Sequence, residues 1–143
     1  MAAANKCLIF AAIAVLTNWE YEIRFNRSVG QISWSVEPIG LLLLVAVIAI
    51  PLLLVRCYRL VRTCLARGIT IPREMKLIDW RPCVLLFPLL CHVGSEAVGV
   101  APDGALYTRT VSYGSDASFP ALIAAVLLIV LYQFQAALKL KCE

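Results

Sequence analysis

Residues 39–80 read IGLLLLVAVIAIPLLLVRCYRLVRTCLARGITIPREMKLIDW, and this stretch orients the rest of the chain. Its first part, Ile39–Val55, is an apolar run without a charged residue, long enough to span a membrane. The run passes directly into a basic segment, whose cations are Arg56, Arg59, Arg62, Arg67, Arg73 and Lys76. Lysine and arginine beside a span mark its cytoplasmic end. The pattern predicts that the helix continues beyond the membrane as an amphipathic extension, capped at Gly68.

The composition favours a membrane protein. The chain has 143 residues, of which 62% are hydrophobic, whereas soluble domains are about 45–50% apolar. The net charge of +4 could suggest nucleic acid binding. However, seven of the 13 lysines and arginines lie between residues 56 and 81. This placement indicates membrane orientation and contact with anionic lipid of the cytoplasmic leaflet, and it argues against a nucleic acid partner.

Four apolar segments predict an all-α bundle of four transmembrane helices. The predicted spans are residues 5–19, 39–56, 83–101 and 119–138. The first could instead be a cleaved secretory signal, which would leave three spans. Residues 20–38 and 102–118 form the outer loops, and residues 57–82 form the basic cytoplasmic connector. Ten lysines and arginines on the connector side, against three in the outer loops, place both termini in the cytoplasm.

Both outer loops show the alternation of apolar and polar residues that is typical of β-strands. Residues 21–26 and 32–37 alternate on either side of a turn that contains Gly30, which predicts a hairpin, and residues 105–113 predict one further strand. An isolated hairpin is only marginally stable, so we expect the three strands to pair as a small extracytoplasmic cap. The candidate recognition residues on these strands are Trp34, Tyr107, Arg109 and Arg24.

The predicted third span contains four polar or reactive residues, Cys91, His92, Ser95 and Glu96. His92 and Glu96 are four residues apart, so they would share one face of a helix. Ionisable side chains at membrane depth are costly, which makes them candidates for proton or cation movement. The alternative is that the two side chains pair structurally between helices. In the last span, Gln133 and Gln135 are predicted to form hydrogen bonds between helices or at the interface.

The six cysteines include no Cys-x-x-Cys pair. On the predicted topology all of them lie in the membrane or on its reducing side, so no disulfide is expected. The sequence also lacks a nucleophile–base pairing, a phosphate-binding loop and the Cys/His spacing of a metal site. We therefore predict a protein that is not an enzyme and that uses neither a cofactor nor a metal.

The leading functional prediction is recognition of another protein by the outer loops, with the basic connector contacting lipid or a cytoplasmic partner. In size, charge and predicted topology the chain is similar to immunity proteins against pore-forming bacteriocins and to membrane components of phage-defence systems. The resemblance implies a bacterial inner-membrane location. A sensor, or an accessory subunit of a membrane complex or homo-oligomer, fits equally. The alternative function is an oligomeric ion or proton channel, or a transporter subunit, that uses His92 and Glu96.

Overall fold

The computed structural model describes residues 2–27, 30–71, 78–114 and 116–142. The elements in chain order are α1 (Ala2–Leu16), β1 (Trp19–Arg27), β2 (Gly30–Val36), α2 (Ile39–Ala66), α3 (Arg81–Leu85), a 3₁₀ helix (Phe87–Leu90), β3 (Val93–Val100), β4 (Leu106–Tyr113) and α4 (Ser118–Cys142). The fold is therefore mixed, with helices and one antiparallel sheet. Two of the described helices, α2 and α4, are long and apolar enough to cross a membrane.

The predicted four-span all-α bundle is wrong, because residues 83–101 do not form a continuous helix. They contain the end of α3, the 3₁₀ helix and the whole of β3. Pro88 lacks a backbone donor, and Gly94 and Gly99 are poor helix formers. Val93, Val98 and Val100 favour a strand. An apolar run of this composition cannot be assigned to helix or strand from its hydropathy alone.

The sheet has the strand order β2-β1-β4-β3. The hairpin β1–β2 lies beside β4, as the alternating patterns predicted, but β3 adds a fourth strand from the segment assigned to the membrane. The register is continuous, with Ile23 opposite Trp34 on one side and Arg109 on the other. The sheet leads directly into the starts of α2 and α4, so it stands at one end of the helices.

Helices α2 and α4 run parallel along their length. Ala46, in the first half of α2, packs against the first half of α4. Further along, the Cys57 thiol donates to the carbonyl of Leu131 at 3.7 Å. A disulfide joins Cys64 to Cys142 at the far ends, with a Cα–Cα distance of 5.8 Å. This bond contradicts the prediction that the chain forms no disulfide. The extension of α2 to Ala66, with Gly68 at φ 70°, confirms the predicted helix end.

Parallel helices require the intervening chain to return to the sheet end of the molecule. This return includes α3 and the 3₁₀ helix, which pack against α1 and α4 through the buried Leu86 and Leu89. The side chain of Gln133 binds the backbone of Asp79, which belongs to this returning segment. Its Oε1 accepts a hydrogen bond from the Asp79 amide at 2.6 Å, and its Nε2 donates to the Asp79 carbonyl at 3.0 Å. Gln133 was predicted to form hydrogen bonds between helices or at the interface; its partner is the backbone of Asp79, which precedes α3 and lies outside the helices.

Candidate functional site

The two faces of the sheet differ in chemistry, because residues opposite each other on neighbouring strands point to the same face. We call one the aromatic face; its large side chains are Trp19, Tyr21, Ile23, Phe25, Ile32, Trp34, Val36, Val93, Tyr107, Arg109, Val111 and Tyr113. The other, the polar face, carries Glu22, Arg24, Asn26, Ser33, Ser35, Glu96, Thr108 and Thr110. At its β3–β4 edge this face also carries three exposed apolar residues, Val98, Val100 and Leu106. Period-two alternation in β1, β2 and β4 produces this separation.

Side chains on the aromatic face contact one another across the strands. The guanidinium carbon of Arg109 lies 5.0 Å from the centre of the Tyr21 ring, which is a cation–π distance. The rings of Phe25 and Tyr107 are 5.9 Å apart and tilted by 40°. Tyr107 lies over Gly99 of β3, at a distance where a Cβ on that glycine would collide with the ring. The face is therefore an ordered surface of rings.

Much of the aromatic face is exposed. Trp34 is 68% exposed and Ile32 is 49% exposed, and the main packing partners of each described strand are other strands. Single exposed apolar residues are ordinary on protein surfaces, but a contiguous apolar area marks an interaction surface. Tryptophan, tyrosine and arginine are also the residues that dominate binding energy at protein interfaces. The face has the composition of a protein-binding site.

Three of the four predicted recognition residues lie together. Trp34 and Arg109 flank Ile23 in one row of the aromatic face, and Tyr107 occupies the next row. Arg24 lies on the polar face instead, where its Nε donates to Glu22 at 2.8 Å. This bond raises the pKa of Arg24. Arg24 resembles the other three in residue type, but its strand position has the opposite parity, which places it on the other face.

Cys91, His92, Ser95 and Glu96, which were predicted to lie within a membrane helix, occupy exposed positions at or near β3. Ser95 donates to the carbonyl of Val111 at 3.3 Å, as a neighbour on the sheet. His92 lies beside Gly114, which has a positive φ of 87° and whose lack of a Cβ leaves space for the Cys91 carbonyl. The shared helix face of His92 and Glu96, on which the channel hypothesis depended, does not exist.

The four predicted basic residues that the structure describes point to different sides of the α2 axis. Arg56, Arg59 and Arg62 are exposed on the second half of α2, and Arg67 is exposed directly after its last residue. Arg73 and Lys76 lie outside the described residues. A helix turns by about 100° per residue, so Arg67 projects within about 20° of Arg56, while Arg62 projects about 120° away. Arg56 and Arg67 border a groove against α4, together with Lys139. The residues of α4 that complete this groove could not be assigned without the helix pairing.

No family model, characterised protein or solved structure gives a significant match to this chain. Functional inference therefore depends on the chemistry of the surfaces themselves. Sequence reasoning missed Tyr21, Ile23, Phe25 and Ile32 as members of the aromatic face. The alternation that predicted the strands places these residues in phase with Trp34, and it could have identified them.

Proposed function

We propose that the protein is a non-enzymatic integral membrane protein and that its aromatic face binds another protein outside the cytoplasm. The exposed aromatic face is the observation that supports recognition. A sensor, an immunity or defence component and an accessory subunit of a membrane complex would all use such a surface. Arg109 beside Tyr21 adds a cation to the centre of the apolar area, which favours a partner surface with apolar groups surrounding an acidic one.

The two long helices support membrane insertion. In their most apolar stretches only 11% of the residues in α2 and 39% of those in α4 are buried within the chain. The core helix of a soluble protein would be mostly covered by its own fold. An uncovered helix made of leucine, valine and isoleucine requires an apolar surrounding, and a bilayer supplies one.

The distribution of charge supports one orientation. The disulfide-linked ends of α2 and α4 carry Arg56, Arg59, Arg62, Lys139 and Lys141. The positive-inside rule assigns this end to the cytoplasm, where it would contact anionic lipid of the inner leaflet. Disulfides are rare on that side, so the Cys64–Cys142 bond argues for the opposite orientation. We rank the five cations at this end above the disulfide. The sheet, at the other end of the helices, would then face outward. This orientation suits a bacterial inner membrane and makes the aromatic face available to partners in the periplasm or from outside the cell.

Substitutions on the two faces of the sheet test the recognition proposal. Trp34→Ala and Tyr107→Ala remove rings from the aromatic face, whereas Ser33→Ala and Thr108→Ala change adjacent positions on the polar face. Each protein is purified in mild detergent, and the partner retained by the unsubstituted protein is quantified by titration. We expect the aromatic variants to lose at least about 30-fold in affinity, equivalent to about 2 kcal/mol for a hot-spot residue.

The polar-face variants are the controls, and we expect their affinity to stay within about threefold of the original, since surface changes outside a contact are nearly neutral. Equal loss in both sets would mean that the sheet as a whole is disturbed, and binding that survives Trp34→Ala and Tyr107→Ala together would contradict the proposal. For the channel alternative, no contact among the described residues brings His92 and Glu96 into a path along the helices.

A further inference from the structure

A continuous furrow follows one flank of the contact between α2 and α4. It consists of two grooves, of about 370 Å³ and 380 Å³. On α2, Val45, Ala49 and Leu53 line the first groove; Arg56, Leu60 and Thr63, with Arg67 directly after the helix, line the second. These positions recur every three or four residues, so they belong to a single face of the helix. The two grooves are therefore consecutive parts of one surface.

Helix α4 shows the same continuity. Leu128 and Tyr132 line the first groove, and Gln135 and Lys139 line the second, again at spacings of three and four residues. Because α2 and α4 are parallel, the two helical faces remain opposed along the whole furrow. The disulfide between Cys64 and Cys142 holds the helices together at the basic end. The furrow is thus a structural feature of the helix pair.

The chemistry of the furrow changes sharply along its length. The first groove is lined almost entirely by apolar atoms, and Phe10 of α1 forms part of its third wall. Lys6 is the cation at its edge. The second groove contains two guanidinium groups, one ammonium group, an amide and a hydroxyl. The Arg67 guanidinium donates to the carbonyl of Cys142, which fixes its position over this groove.

The dimensions match one leaflet of a bilayer. From Val45 to Arg56 the helix rises by about 16 Å at 1.5 Å per residue. Half of the hydrocarbon thickness of a bilayer is about 15 Å. A hydrocarbon chain that lies in the first groove would therefore end where the first arginine begins. An amphiphile with one anionic head group satisfies both halves of the furrow at once.

We propose that the furrow binds a single anionic phospholipid, with an acyl chain in the apolar groove and its phosphate between Arg56, Arg67 and Lys139. The inference rests on the proposed membrane insertion and adds a defined site to it. Arginine binds phosphate through paired, charge-assisted hydrogen bonds. Arg59 and Arg62 project away from the furrow, at about 60° and 120° from Arg56. They attract the anionic membrane surface in general without contributing to the site.

Two pairs of arginine substitutions, with equal changes in charge, test the head-group half. The full-length protein is titrated with phosphatidylglycerol in mild detergent, and bound lipid is counted by native mass spectrometry. We expect one tightly held phosphatidylglycerol per chain. The double variant Arg56→Gln with Arg67→Gln should lower the affinity for this lipid at least about tenfold, equivalent to about 1.4 kcal/mol. The double variant Arg59→Gln with Arg62→Gln should keep the affinity within about twofold of the original. Arg56→Gln alone keeps the bond from Arg67 to Cys142 and serves as the variant with an undisturbed helix end.

A second set of variants tests the acyl half. Val45→Trp places an indole in the apolar groove, and Val47→Trp places one at a position that is 71% exposed and outside it. Only Val45→Trp should weaken the binding of phosphatidylglycerol. Glycerol phosphate, which has the same head chemistry without the chains, should compete weakly. If it displaces the lipid at equal concentration, the site is one for soluble phosphate, and the proposed lipid site is overturned.

The failure of this site and the failure of membrane insertion give different results. Flotation with phosphatidylcholine vesicles reports insertion, whichever arginines are present. If the unsubstituted protein does not float, the proposed function itself fails. If the protein floats and both arginine pairs reduce phosphatidylglycerol binding equally, the attraction is diffuse and the proposed site is wrong. Loss confined to Arg56 and Arg67, with the effect of Val45→Trp, supports it.

Discussion

At the scale of single residues, the aromatic face depends on a glycine that hydropathy ignores. Gly99 leaves the space over β3 that the Tyr107 ring occupies, and that ring then contacts Phe25. A Cβ at position 99 would lie 2.5 Å from the ring, whereas a Cβ at Gly94 would meet the Cβ of Ser112 at an ordinary 3.7 Å. The two glycines of the same strand therefore have different roles. Gly99 shapes the aromatic face, whereas a Cβ at Gly94 would make only an ordinary contact with Ser112.

We predict that Gly99→Ala turns the Tyr107 ring away from Phe25, because the end of a tyrosine side chain can move where the backbone cannot. The free energy of unfolding should fall by about 0.5–1.5 kcal/mol, the value of an aromatic pair. Proton contacts between the two rings, measured by NMR, should disappear in this variant. They should remain in Gly94→Ala, the matched control. Intact ring contacts in Gly99→Ala would show that the glycine is not required.

At the scale of elements, the disulfide determines how firmly the basic ends of α2 and α4 are joined. It connects cysteines that are 78 residues apart in sequence. Crosslinks that close a long loop restrict the unfolded chain, and native disulfides typically contribute about 2–4 kcal/mol. The bond also keeps the basic half of the furrow assembled. Without it, we expect the last turns of both helices to fray, as helix ends do when their packing is lost.

We predict that Cys64→Ser with Cys142→Ser lowers the free energy of unfolding by about 2–4 kcal/mol, as for other disulfides, and removes any effect of a reductant on thermal unfolding. Alkylation of the denatured protein provides an independent measurement. Of the six cysteines, four are free, so four should react before reduction and six afterwards. Six alkylated residues in the unreduced protein would contradict the bond. Cys57→Ser, a free cysteine of the same helix, is the control.

At the scale of the whole molecule, the sheet and the basic helix ends lie at opposite ends of α2 and α4. Insertion would therefore separate Trp34 from Arg62 by the membrane.

Asp79, in the segment that returns to the sheet end, accepts hydrogen bonds from Arg81 that lower the pKa of the carboxyl group. This pair should remain charged at neutral pH and stay at the membrane surface, because an ion pair inside the hydrocarbon is costly.

We predict that Trp34→Cys and Arg62→Cys are modified from opposite sides of sealed vesicles. Both substitutions are made in a Cys91→Ser background, since Cys91 is an exposed free cysteine. In right-side-out vesicles, a membrane-impermeant maleimide added outside should label Trp34→Cys directly and Arg62→Cys only after permeabilisation. Labelling of both from the same side would contradict the orientation. Vesicles solubilised in detergent, in which both positions react, are the control.

Properties that are local and additive can be predicted from the amino-acid sequence. Length and apolar composition identify α2 as a membrane helix candidate, the arginines identify its basic end, and Gly68 marks its stop. Alternation likewise predicts β1, β2 and β4. These properties depend on residues that are close in sequence, so they can be predicted without knowing what each segment packs against.

Properties that depend on the pairing of strands or helices are set by the tertiary structure. Residues 93–100 are apolar enough for a membrane, and they become a strand because β4 offers them a ladder of backbone hydrogen bonds. Cys64 and Cys142 meet because α2 and α4 run parallel, and the same pairing turns two rows of side chains into a furrow. The sheet register separates Arg24 from Trp34. These outcomes depend on contacts between residues that are distant in sequence, and such contacts cannot be predicted from local hydropathy.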